Sequence, residues 1–75
     1  MKMYYGVCSD KPSIDVEMLD FDYAKDNINN YLSEYTIATL KHKAKNRGCR
    51  YLHIYREVSR RRVLGKFVKT IDLGY

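Results

Sequence analysis

Apolar and polar positions alternate with a period of two toward both ends of the chain and switch to steps of three and four in the middle. Lys2 to Cys8, with Tyr4, Tyr5 and Val7, reads as a short strand closed by the turn-rich run Ser9-Asp10-Lys11-Pro12-Ser13. Ile14, Val16 and Met18 alternate with Asp15 and Glu17, which places the apolar set on one face of a second strand, the other arm of a hairpin. From Asp22 the period changes: Ala24, Ile28, Tyr31, Tyr35, Ala38 and His42 fall on one helical stripe. Asp20 or Asp22 can cap its start, and Gly48 stands where a helix commonly ends in a left-handed residue. The spacing predicts a long helix from Tyr23 to Arg47, with a weak point at Tyr35-Thr36-Ile37, where two β-branched residues favour a kink or a break.

After Gly48, Leu52, Ile54 and Val58 alternate with Tyr51, His53 and Tyr55, and Val63 to Leu73 is a second β-rich run beyond the turn Ser59-Arg60-Arg61-Arg62. The predicted fold is α+β in the order ββαββ, with one long, kinkable helix packed on an antiparallel four-stranded sheet. At 75 residues the chain makes a single domain, 1–75. Its 45% hydrophobic and 31% charged residues support a packed core over disorder.

Charge changes this picture most. Residues 1–35 carry three lysines and seven acids, net −4, whereas residues 36–75 carry eleven basic residues against Glu57 and Asp72, net +9. Such a split points to an anionic partner for the second half, to pairing between the halves, or to self-association.

Three surfaces follow as candidates. The first is basic: Lys41, Lys43, Lys45 and Arg47 at the end of the predicted helix, continued by Arg50. Cations suit a helix C-terminus. Even so, Lys41/Lys45 and Lys43/Arg47 are like-charged at i, i+4 with no acid between residues 35 and 56, and a phosphate backbone or an acidic protein surface would relieve them. The Arg60-Arg61-Arg62 tip is a second phosphate clamp or, equally, a set of partners for Asp20, Asp22 and Asp26, which a nine-residue strand brings to the same end of the molecule.

The second candidate is aromatic. With Leu52 and Ile54 facing the helix, Tyr51, His53 and Tyr55 face the other way, joined by Tyr4, as a protein interface or a base-stacking face. In the last strand Leu64 and Val68 fall on one face, Phe67 and Ile71 on the other. The third is a homodimer patch, Ile37, Leu40 and Ala44, opposite the core stripe of a continuous helix; a kink near Thr36 would turn it into the core instead.

Catalysis is not expected. Cys8, His42, Cys49 and His53 lack metal-ligand spacing, with Cys49 and His53 about 13 Å apart along a strand, so no metal is expected. The four glycines form no phosphate-cradling loop, and no cofactor is expected. The carboxylates of residues 10–26 belong on solvent, where no acid–base pair is built. Two cysteines are too few for a disulfide framework and are expected as reduced thiols, with a single disulfide as the alternative. No apolar run suits a membrane span or a signal peptide, so the expected compartment is the cytoplasm, with no membrane partner.

The order of elements matches neither the three-strands-then-helix DNA binders nor the base-stacking sheet of RNA-recognition domains. The compact, tyrosine-rich, charge-split character is similar to that of small phage accessory proteins, a likeness of composition that implies no site. The sequence therefore favours a non-enzymatic binding protein that contacts nucleic acid through its basic half. An inhibitor or modulator docking on an acidic protein surface is the alternative, and either is compatible with a homodimer.

Overall fold

The computed structural model describes residues 2–26 and 31–74, the side chain of Arg60 excepted. Strand β1 (Tyr4–Ser9) is followed by β2 (Met18–Asp20), α1 (Phe21–Asp26), β3 (Tyr31–Glu34), α2 (Ile37–Asn46), β4 (Tyr51–Arg60) and β5 (Val63–Asp72). The strands form one antiparallel sheet in the order β2-β5-β4-β1-β3.

The α+β class stands, but the four-stranded sheet with one long helix does not: the sheet has five strands. Residues 31–34, assigned by spacing to the helix, instead form β3, which pairs with β1 from Tyr4↔Glu34 to Val7↔Tyr31. That pairing covers an edge of β1 that a four-stranded sheet would leave bare, and tertiary pairing of this kind overrides a helical spacing. Residues 27–30 of the predicted helix, including Ile28, lie outside the described residues.

The break falls at the β-branched weak point. Thr36 is extended (φ −131°, ψ 153°) and its Oγ1 accepts from the N–H of Thr39 at 3.1 Å, so it caps α2. The inward face of α2 is consequently Leu40 and Ala44, both fully buried, with Ile37 packed beside them. These three residues are core and not a dimer patch, while Tyr35, Ala38 and His42 of the predicted core stripe are exposed.

Gly48 ends α2 at φ +76°, with Gly48 N–H donating to Lys45 O and Cys49 N–H to Ala44 O, the paired bonds of a Schellman turn. Cys49, next in the chain, is bonded to Cys8 of β1. The expectation of reduced thiols is thereby corrected: the turn brings the two Cα atoms to 5.5 Å, which the 41-residue separation did not reveal.

One face of the sheet carries Gly6, Leu32, Leu52 and Ile54 beneath α2. Gly6 lets the helix sit close here, because a Cβ would lie 2.7 Å from Leu52 Cδ1 and 3.3 Å from Leu40, whose side chains would have to shift. The opposite face carries Tyr5, Val7, Leu19 and Tyr55, and Ile14, Val16 and Tyr23 from the β1–β2 connection and α1 pack on it. Asp20 Oδ1 caps α1 by accepting from Tyr23 N–H at 2.7 Å. No helix among the described residues is long and apolar enough to cross a membrane.

Candidate functional site

The cations nominated from sequence divide by partner. Lys43 Nζ lies 3.1 Å from Glu34, Arg50 Nε 3.4 Å from Asp72, and Arg62 Nη2 3.2 Å from Asp22. Arg50 also sits 5.0 Å over the Tyr51 ring. The Arg62–Asp22 pair is the neutralisation expected at the hairpin tip; both side chains are more than 70% exposed, so the pair contributes little. Lys41, Lys45, Arg47 and Arg61 are exposed. Among the described residues no ion pair is formed by Lys41, Arg47 or Arg61.

The aromatic set does not form an open face. Tyr55 and His53 are fully buried, and Tyr51 is half-buried. Tyr4, paired with Arg56 and in phase with Gly6 and Cys8, belongs to the α2 side. The β1–β2 connection covers the surface they were assigned: the Tyr55 hydroxyl donates to the carbonyl of Val16. Burial pushes the phenols of Tyr55 and Tyr31 up to about 12, so both stay protonated donors.

His53 is held at both nitrogens, Nδ1 2.7 Å from Thr70 Oγ1 and Nε2 2.7 Å from Ser9 Oγ. Burial lowers its pKa from 6.5, and a hydrogen bond with the Lys11 backbone opposes that shift. Ser9 Oγ already donates to Lys11 O at 3.0 Å. With its one proton so used, Ser9 accepts from Nε2–H, and Nδ1 accepts from Thr70. The imidazole is a satisfied core group.

One basic set escaped the sequence reading. Across the sheet the register aligns Met18, Lys66, Arg56, Tyr4 and Glu34 in one row. Directly paired residues of antiparallel strands share a face, so this row lies on the α2 side. The adjacent row pairs Lys69 with Ile54. Helix α2 is seated over β3, β1 and β4, and Arg56, Lys66 and Lys69 are exposed beyond it.

Simple alternation hid the set, because the register shifts between Ile54↔Lys69 and Tyr55↔Phe67, leaving Val68 as an extra residue. The bulge also puts Phe67 with Tyr55 (rings 5.6 Å apart, 69°) and Ile71 with the α2 core, on opposite faces and not together as alternation implies. The available signal was parity on β4, where Leu52 and Ile54 are followed in phase by Arg56.

Among the described residues no group of three or more His, Cys, Asp or Glu side chains is placed to hold a metal ion. No protein-family model matches the chain, and no curated protein or solved structure matches it either.

Proposed function

We propose that this protein is a non-enzymatic binding module for nucleic acid, engaged through cations of its second half. The observation that carries this reading is the incomplete internal neutralisation. The early acids meet Lys43 and Arg62, whereas Lys41, Arg47 and Arg61 have no ion pair among the described residues. A polyanion supplies the missing charge and releases its own counterions on binding. Lys41, Lys43, Lys45, Arg47 and Arg50 form the phosphate contact at the end of α2, and Arg61 and Arg62 a contact at the hairpin tip.

A cytoplasmic location, the natural one for such a module, would keep Cys8 and Cys49 reduced. The bonded pair favours an oxidising compartment, which makes the thiol state in cells a direct check on location.

The test is a mobility shift with purified chain across a salt series. Binding that weakens steeply as salt rises, and that falls when Lys41 and Arg47 are replaced by glutamine, supports the reading. Absence of any shift at low salt, with a stoichiometric protein recovered by pull-down after nuclease treatment, replaces it with docking on an acidic protein surface.

A further inference from the structure

We infer that the half of the sheet left open beside α2 is a docking trough for the phosphate backbone of nucleic acid, with Lys41 on its helical wall and Arg56, Lys66 and Lys69 on its floor. This rests on the nucleic-acid reading above and carries the contact from the end of α2, which supplies Lys41, onto the face of the sheet.

The rotation of α2 decides which cations meet there. Leu40 and Ala44 point into the core. At about 100° per residue, Lys41 and Lys43 project about 80° to either side of that direction. Lys43 is bonded to Glu34 of β3, the strand at the edge of the sheet. Lys41 therefore projects the other way, toward β4 and β5. Leu40 sits on Gly6 of β1, whose row continues through Ile54 to Lys69 of β5, about 10 Å away at two strand spacings. Lys41 and Lys69 thus face one trough, and Arg56 and Lys66 form its next row toward the start of α2.

Arg56 and Lys66 are direct cross-strand partners, an arrangement in which like charges repel. The acid in their row, Glu34, is already bonded to Lys43. Lys2 joins Arg56 and Lys66 in lining an open cleft of about 290 Å³, with Glu57 alongside. The Glu57 side chain lies on the opposite face, where it accepts from the Tyr5 hydroxyl at 3.3 Å. Among the described residues no ion pair is formed by Lys2, Lys41, Arg56, Lys66 or Lys69. Tyr4, the aromatic residue of the row, is packed against the α2 core, and Phe67 stands with Tyr55 on the other face. The trough offers clustered positive charge without an exposed ring, which suits phosphate contacts that carry no base information.

Fluorescence anisotropy on the intact chain, with two labelled duplexes of unrelated sequence, tests the proposal. Both duplexes should bind alike. Arg56→Gln, Lys66→Gln and Lys69→Gln together should weaken both and reduce the slope of log affinity against log salt by about 2.7, at about 0.9 per phosphate contact. The three side chains are exposed, so this variant should retain the parent's circular dichroism. Its urea midpoint should not fall, because the cross-strand repulsion goes with the charges. Amide shifts at residues 41, 56, 66 and 69 of the unmodified chain on titration provide a readout independent of substitution. Full-strength binding by the triple variant overturns the trough, while the affinity of the unmodified chain still upholds the broader proposal. A preference of roughly tenfold or more between the duplexes overturns contact through the backbone alone. Failure of the unmodified chain to bind either duplex overturns both proposals.

Discussion

The two faces of the sheet are closed by different means. Beneath α2 the contacts are aliphatic, Leu40 seated over Gly6 and Leu52, and the helix is fastened at its end by Cys8–Cys49. On the opposite face the cover is the irregular β1–β2 connection with short α1, held through polar tips: the Tyr55 hydroxyl on Val16 O, and His53 between Ser9 and Thr70. A helix satisfies its own backbone and needs only shape to dock. An irregular segment brings unpaired carbonyls and N–H groups that must find partners in what it covers. Buried tyrosine and histidine therefore stand on the face that the connection covers, beside Val7 and Leu19, whereas leucine and isoleucine dominate beneath α2.

The largest effect should come from the fastening. Closing a loop with 41 residues of separation stabilises by about 4 kcal/mol in the chain-entropy account. Cys8→Ser with Cys49→Ser, or reduction of the parent, should lower the urea midpoint accordingly. A loss under about 1 kcal/mol would show that packing alone seats α2. Leu40→Ala tests that packing itself. Leu40 is fully buried against Gly6 and Leu52, and its truncation should cost about 3 kcal/mol in the same assay. A cost below 1 kcal/mol would mean that α2 contributes little to this face.

Tyr55→Phe probes the other face. It keeps the ring against Phe67 and removes only the donor to Val16 O, leaving a carbonyl without its partner, at a cost of about 1–2 kcal/mol. Protection of backbone amides in residues 14–18 should fall with it. If it does not, the connection is held by Ile14 and Val16 packing, and the contrast between the faces disappears.

The contrast also governs what could be read from the sequence. The ends were legible because β1, β4 and β5 are strands whose alternation is visible, and because Gly48 and Thr36 act locally: one takes a left-handed turn, the other breaks the helical run. The middle was not. Tyr31 to Glu34 fits a helical stripe as well as a strand, and only its pairing with β1, 24 or more residues earlier in the chain, decides between them. The burial of Tyr55 and His53 depends on a connection whose course no periodicity encodes. The exposed row of Arg56 and Lys66 depends on a bulge at Val68, and a bulge reverses facing without marking the composition. The basic end of α2 was visible because its charges are adjacent in sequence.

Acid should distinguish the faces as well. Burial lowers the folded-state pKa of His53 below 6.5, so the unfolded chain takes up the proton first. The stability tied to this residue is complete above about pH 6.5, is lost as pH falls toward the lowered value, and is constant below it. His53→Gln, which retains a hydrogen-bonding side chain, should flatten this part of the stability–pH curve relative to the parent. Identical curves would indicate that folding leaves the pKa of the imidazole unchanged. Leu40→Ala, on the other face, should shift the curve down without changing its shape.

The smallest effect is expected at the hairpin tip, where Arg62 ties β5 to α1 by its pair with Asp22 and takes φ +66° to turn the chain. If ion pairs held the irregular cover, Arg62→Gly would loosen α1. The opposite is expected. The pair is exposed at both ends and worth at most about 1 kcal/mol, whereas a left-handed residue with a Cβ is strained by about 1–2 kcal/mol, strain that glycine relieves. Glycine also adds freedom to the unfolded chain, which offsets part of the gain. The variant should therefore lie within about 1 kcal/mol of the parent, with amide protection in α1 unchanged. Marked loss of that protection would transfer the anchoring of this face from buried hydrogen bonds to surface charge.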